Sequence, residues 1–326
     1  MITNGTRVKE GERTYQLRLF SDRDGNGKLN GKERNGFCGA SLIQDYDSIY
    51  GAWVLTAAHC LRMGSGVWPP DYGLYYVGGG SVDMKKLEMK RITLDKNHVI
   101  IHPKWTGASM SASNIDHGIH YTNSNFPLNK YLLSLKYLYQ SHSFTDIALI
   151  KLDAPFKTIG VRDVVPLNFE IPNEELIGRM ATISGWGAYL GGASGKQHRY
   201  LQETTLEISL NGLPKDTVLG LDNTDGKSAC GGDSGGNCVH NSLALNSNNR
   251  CIFLLLISTS FIRSLGPATI RKYGKYDYQV GIASKLPFSK YDCGNSDDFS
   301  MYQSVYPYRD WIYDTIKNTF EKIPTF

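Results

Sequence analysis

Short runs of apolar residues alternate along this chain with clusters of Gly, Asn, Asp and Pro. Tyr15-Gln-Leu-Arg-Leu19 places an apolar residue at every second position. Gly51-Ala-Trp-Val-Leu55, Thr145-Asp-Ile-Ala-Leu-Ile-Lys-Leu152, Met180-Ala-Thr-Ile183 and Val280-Gly-Ile-Ala283 are brief, mostly apolar runs bounded by turn residues. A period of two, or a short buried run between turn signals, predicts β-strands. Many short strands of this kind predict a barrel or a sandwich. Two stretches carry helical spacing instead. One is Asn129–Gln140. The other is Tyr308–Lys317, where Trp311, Ile312, Thr315 and Ile316 share a face that is expected to dock on the core. There is no internal repeat and no low-complexity linker.

Composition narrows the class. The 326 residues suffice for one large or two medium domains. Hydrophobic residues make up 41% and charged residues 20%, as in ordinary globular proteins. A net charge of +4 without a basic run argues against a nucleic-acid partner. No segment reaches the roughly 18–20 apolar residues of a membrane span, so no membrane partner is expected. The most apolar run, Cys251–Ile257, is too short and reads as a buried strand. No signal peptide is visible after Met1. The six cysteines, Cys38, Cys60, Cys230, Cys238, Cys251 and Cys293, contain no C-x-x-C pair, which disfavours a zinc ribbon. Their even number suits three disulfides in an oxidising compartment, and it equally suits six buried thiols in a reducing one.

Three segments carry the parts of a nucleophilic site. A serine hydroxyl needs a histidine to take its proton, a carboxylate to orient the histidine, and amides to hold an oxyanion. Ser234 lies in Cys230-Gly-Gly-Asp-Ser-Gly-Gly236, where glycines let backbone and substrate approach closely. His59 ends Val54-Leu-Thr-Ala-Ala-His59 after an apolar run, and Asp146 heads Thr145-Asp-Ile-Ala-Leu-Ile150. Singly these read as a turn, a packed core histidine and a strand cap. In the order His, Asp, Ser they form a specific constellation.

With these motifs the sequence resembles the trypsin/chymotrypsin family of serine proteases. Phe37-Cys-Gly-Ala-Ser-Leu-Ile43, Ser184-Gly-Trp-Gly187, Tyr200-Leu-Gln-Glu203 and Val280-Gly-Ile-Ala-Ser284 extend the resemblance over nearly the whole chain. It implies an all-β fold of two six-stranded antiparallel β-barrels with a C-terminal α-helix. Residues 2–158 would form the barrel carrying His59 and Asp146. Residues 159–326 would form the barrel carrying Ser234, the specificity pocket and the helix. By the same resemblance His59 is the general base, Asp146 its orienting carboxylate and Ser234 the nucleophile. The N–H groups of Gly232 and Ser234 form the oxyanion hole, and Ser284 hydrogen-bonds Asp146. Disulfides Cys38–Cys60 and Cys230–Cys293 are implied. Cys238 and Cys251 remain, close a short loop and are paired, although this bridge is not a family standard. Ile2 resembles the N-terminus freed on activation, whose ammonium pairs with Asp233, and a retained Met1 would block that pair. Asn4-Gly-Thr6 is a glycosylation sequon at that terminus, expected to be unused.

Ser228, six residues before Ser234, stands at the base of the implied pocket and suggests a neutral site for apolar or aromatic side chains. Ser284, Leu286 and Ser300 would line it, with Leu286 narrowing it toward medium-sized residues. Asp298, two positions from Ser300, would instead bring a carboxylate if the alignment slips. Residues 105–144 and 258–279 read as insertions that restrict the groove, while residues 204–226 are shorter than usual. The expected protein is a secreted, or periplasmic, monomeric endopeptidase acting on protein or peptide substrates, open to protein inhibitors and requiring no cofactor. The alternative is a protease-fold binding or partner-activated regulatory protein.

A second motif is independent of this resemblance. Asp22-Arg-Asp-Gly-Asn-Gly-Lys-Leu-Asn-Gly-Lys-Glu33 matches a calcium-binding loop pattern. Asp22, Asp24 and Asn26 fall at ligand positions, Gly27 at the sharp turn, Lys28 at the carbonyl position and Glu33 at the bidentate position. Strand-like flanks favour a plain hairpin loop instead. Asp116, His117 and His120 lie close together in the long insertion and read as solvated.

Overall fold

A computed structural model of the chain describes residues 2, 4–44, 52–61, 74–105, 145–158, 164–190, 196–209, 217–222, 227, 234–239, 265–272, 276–285 and 299–321. In chain order these form β1 (Thr6–Arg7), β2 (Gln16–Asp22), β3 (Cys38–Gln44), β4 (Ala52–Thr56), α1 (Ala58–Leu61), β5 (Leu74–Gly79), β6 (Glu88–Arg91), β7 (Val99–Ile101) and β8 (Ala148–Leu152). There follow α2 (Asn173–Leu176), β9 (Met180–Gly185), β10 (Ala188–Leu190), β11 (Lys196–Gln197), β12 (Gln202–Ser209), β13 (Val218–Asp222) and β14 (Ser234–Val239). The described chain ends with β15 (Leu265–Lys272), β16 (Tyr276–Lys285), β17 (Phe299–Ser304) and α3 (Arg309–Glu321). Among the described residues no helix is long and apolar enough to cross a membrane.

Two large sheets result. The first has seven strands in the order β6-β5-β2-β3-β4-β8-β7, all neighbours antiparallel. The second has eight, ordered β1-β12-β13-β17-β16-β15-β14-β9, and added β12–β9 and β15–β9 pairings close it into a ring. This is the two-sheet, all-β organisation with a C-terminal helix that the sequence implies. The described strand counts are seven and eight where the resemblance implies six and six. One pairing departs from an antiparallel plan: β14 runs parallel to β15, Ser234 opposite Leu265. Parallel neighbours need a long crossover, and the 25 residues of 240–264 supply enough chain.

The apolar alternation explains the core. Leu17 and Leu19 on β2, Val54 and Leu55 on β4, and Leu149 and Ile150 on β8 are all buried in one cluster. Ile2 is buried in the second cluster with Leu176, Ile183, Leu206 and Tyr302. Gly5 permits that tuck: a Cβ there would stand 2.7 Å from both Ile2 Cγ2 and the Glu203 carbonyl. The start of the chain therefore packs with the second sheet, β1 pairing Thr6 with Glu203. Conversely Val305, Tyr308 and Ile312, near the chain's end, join the first cluster.

Some expectations need correction. The stretch 258–279, read as an insertion, contains β15 and the first four residues of β16. Its last residue, Gln279, is completely buried and accepts a 2.6 Å hydrogen bond from Ser41. Strand β8 begins at Ala148, three residues inside the run predicted from Thr145. Thr145 and Asp146 are spent on side-chain and cross-sheet bonds instead. The C-terminal helix starts at Arg309, after a three-ten turn at Tyr306–Tyr308, and runs to Glu321. Predicted helix 129–140 and the apolar run 251–257 lie outside the described residues.

Candidate active site

The geometry builds outward from Asp146. Strand β4 is completely buried and leads directly into α1, so its packing fixes where His59 emerges. A disulfide between Cys38 at the start of β3 and Cys60 in α1 ties the same turn down. Thr56 Oγ1 donates to the Gly39 carbonyl at 3.0 Å, a second tie across the strands.

His59 meets Asp146 twice. Its backbone N–H donates to Asp146 Oδ1 at 2.9 Å, and its ring Nδ1 lies 2.6 Å from Oδ2. Ser284 Oγ, on β16, donates to the same Oδ2 at 2.6 Å. Burial alone would push the Asp146 carboxyl upward. The His59 charge and the hydrogen bonds from His59 and Ser284 outweigh it and hold the group below the usual carboxylate range. Asp146 is therefore an anion, which accepts only. Nδ1 must then carry the proton, leaving Nε2 as the basic nitrogen. Two residues predicted apart in sequence are thus one histidine–carboxylate pair, with a third, Ser284, beside them.

Ser234 opens β14, described by its backbone. Strand β14 pairs with β9 and packs across the seam against β3 and β4 of the first sheet. Since β4 runs into α1, the strand headed by Ser234 lies against the strand that delivers His59. Ser300 is fully buried on β17, opposite Leu221. Ser228, Gly232, Asp233, Leu286, Asp298, Cys230, Cys251, Cys293 and the metal candidates Asp116, His117 and His120 lie outside the described residues. So does the side chain of Cys238.

Two residues enter the site without a sequence signal. Gln303 on β17 accepts from the Asp146 backbone N–H at 2.7 Å, and Tyr308 Oη lies 3.2 Å from Thr145 Oγ1. A glutamine inside a short strand and a tyrosine before a helix carry no local mark of such roles.

The Asp22–Glu33 loop starts at the last residue of β2 and precedes β3. Asp22 accepts from the amides of Gly25 at 2.9 Å and Gly27 at 2.7 Å. Gly27 takes a φ of 79°, which glycine adopts freely, so the turn expected there is present. Carboxylate oxygens of Asp22, Asp24 and Glu33 lie within 4.8 Å of one another. The Asn26 amide hydrogen-bonds Asp24, and Lys28 N–H donates to Asn26 Oδ1.

A buried carboxylate–imidazole pair at the seam of two β-sheets, with a glycine-flanked serine heading an adjacent strand, defines the class of trypsin-like serine proteases. The trypsin family model matches residues 2–312, and the chain belongs to that family. Among curated relatives it is 26% identical to rat (Rattus norvegicus) vitamin K-dependent protein C over 73% of this chain and 42% of that protein. It is 25% identical to brachyurin of Leptuca pugilator over 64% of this chain and 72% of that one. It is 27% identical to chymotrypsin of Phaedon cochleariae, covering 73% and 68%. The fold resembles the solved structure of neuropsin, a serine protease expressed in mouse brain. That likeness has a TM-score of 0.56 and 20% identity, and covers 97% of this chain and all of that one.

Proposed function

We propose that the protein is a secreted serine endopeptidase. The observation that carries the reading is the His59–Asp146 pair, with Nδ1 held 2.6 Å from a buried carboxylate that Ser284 also engages. In this reading His59 Nε2 takes the proton from Ser234 Oγ as the oxygen attacks the substrate carbonyl carbon. The N–H groups of Gly232 and Ser234 hold the resulting oxyanion. The proton then passes to the leaving amine, and water releases the acyl group by the same route. A neutral Ser228 and a narrowing Leu286 favour medium-sized apolar residues before the cut bond, and residues 105–144 restrict the groove. The Cys38–Cys60 disulfide fits an oxidising compartment.

Activation belongs to the same reading. Exposing Ile2 as the terminus lets its ammonium pair with Asp233 and order the oxyanion amides. The buried Ile2 side chain supports this. Two preparations test it, one beginning at Met1 and one at Ile2, each treated with a serine-reactive phosphonate and assayed on peptide esters. The expected result is one adduct on Ser234 and much faster turnover in the chain beginning at Ile2. No adduct in either would instead favour a protease-fold binding protein, and equal turnover would remove the activation step.

The Asp22–Glu33 loop is proposed to take calcium, on the strength of its ligand spacing and the clustered carboxylates of Asp22, Asp24 and Glu33. Millimolar calcium should raise the melting temperature, and Asp22→Ala should abolish the rise. An unchanged melting curve rejects the site.

A further inference from the structure

We propose that Gln303 is a positioning residue that holds Asp146, and hence His59, from the second sheet, and that Tyr308 braces it. The inference rests on the peptidase reading for its consequence in turnover, although its geometry does not.

Asp146 belongs to the first half of the chain, two residues before β8. Its carboxylate is engaged by His59 and Ser284, as described. Its backbone is engaged separately: Asp146 N–H donates to Gln303 Oε1 at 2.7 Å, across 157 positions of sequence. Gln303 is itself 1% exposed. Its Nε2 donates to the Thr217 carbonyl at 2.5 Å, just ahead of β13, and its backbone pairs with Val218. The two partners fix the amide's sense, because a backbone N–H needs an acceptor and a carbonyl needs a donor. A reversed amide would set both of those groups facing like groups. Gln303 is thus a rigid strut from β13 and β17 to the peptide that carries Asp146.

Tyr308 supplies the brace. Its hydroxyl engages Thr145 Oγ1 at 3.2 Å and also hydrogen-bonds Gln303, so it touches the neighbour of Asp146 and the strut together. The ring is held edge-on by His102, with centroids 5.2 Å apart, and His102 in turn packs on Trp311 of α3 at 4.7 Å. Burial raises the Tyr308 hydroxyl above its ordinary value despite the hydrogen bonds with Thr145 and Gln303, so it stays protonated and able to donate. The strut and brace both come from the part of the chain after residue 300, and both end on Thr145–Asp146.

Placement to within a fraction of an ångström is what such a pair requires, since a displacement of about 1 Å can cost on the order of 100-fold in rate. Gln303→Met keeps the volume and removes the side-chain hydrogen bonds to Asp146, Thr217 and Tyr308. Two measurements on the full chain test it. The first is the low-field proton resonance of His59 Nδ1–H, which reports its bond to Asp146 without needing Ser234. The second is kcat and KM on a peptide ester, counted per phosphonate-titrated site. We expect the resonance to shift or broaden, kcat per site to fall about 10- to 100-fold and KM to stay within about twofold. The resonance decides: a displaced signal supports the positioning role, a stationary one overturns it, and turnover measures what displacement costs. A fold defect alone would lower the number of titrated sites and leave kcat per site unchanged. Should Gln303→Met fail to fold, Tyr308→Phe removes only the bracing hydroxyl. It should displace the same resonance with about a two- to tenfold loss in kcat, and no displacement would overturn the proposal. A wild-type protein that takes no phosphonate would reject the peptidase reading while leaving the resonance test standing.

Discussion

At the scale of a residue, Asp146 shows why a buried charge persists in an apolar seam. A carboxylate removed from water is costly unless its lone pairs are occupied. Here Oδ1 takes the His59 amide and Oδ2 takes His59 Nδ1 and Ser284 Oγ. Ser284→Ala removes the one donor that does not belong to His59. A hydrogen bond to a charged group is worth about 1.5–3 kcal/mol, so kcat should fall roughly 10- to 100-fold with little change in KM. Steady-state kinetics on one ester substrate check this, and an unaltered kcat would show that Ser284 is only packing. His59, Asp146 and Ser284 were each legible because they sit in short stereotyped motifs. Gln303 was not legible, because its partner lies 157 positions away and nothing near it in sequence marks the contact.

At the scale of an element, the end of the chain is an instructive case. The helical spacing of Tyr308–Lys317 places Ile312 in the core, with Trp311 and Ile316 packed at its edge. What the spacing did not reveal is that this helix rests on His102. The side chain of His102 is wedged against Tyr308 and Trp311, with Nδ1 accepting from the Lys104 amide. Burial, with a smaller push from the Lys104 charge, lowers its pKa from 6.5 to about 4. A histidine depressed in the folded state binds its proton more readily when unfolded. The native state is then fully favoured above pH about 6.5 and loses stability as the pH falls toward about 4. Melting temperatures between those values should decline, and His102→Phe, which keeps an aromatic ring against Tyr308, should flatten the decline. An equal slope in both proteins would place the acid sensitivity elsewhere. The stretch 258–279 illustrates the opposite failure of local reading. Measured by length against relatives it was surplus, yet β15 and buried Gln279 make part of it sheet. Strand β15 there pairs antiparallel with β16 and β9 as well as parallel with β14, and the β9 and β14 partners lie far off in sequence, where no local pattern identifies them.

At the scale of the molecule, the two sheets are joined by polar bonds as well as by apolar packing. Ser41 donates to Gln279 at 2.6 Å and Ser184 to Gln16 at 3.0 Å, both buried and both crossing between sheets. Arg13 adds charge to the joint. It pairs with Glu203 on β12 at 2.9 Å and with Asp277 on β16, while Tyr15 donates to the same Asp277 oxygen at 3.1 Å. Burial opposes the guanidinium charge, but Tyr15, Asp277 and Glu203 more than offset it and raise Arg13 above its usual pKa. Because the site also spans the joint, with Asp146 from one half held by Ser284 and Gln303 from the other, separation of the halves and loss of activity should be a single event. Arg13→Met would strand two carboxylates near each other in partly buried positions. Breaking such a pair should cost about 2–3 kcal/mol, or roughly 3–5 °C in melting temperature for one cooperative transition of this length. Far-ultraviolet circular dichroism and residual activity, followed through the same thermal ramp, should give one coincident transition in both proteins, displaced downward in the variant. Two resolved steps, or activity lost well before the sheets melt, would mean that the halves unfold independently and that the polar joint does not couple them.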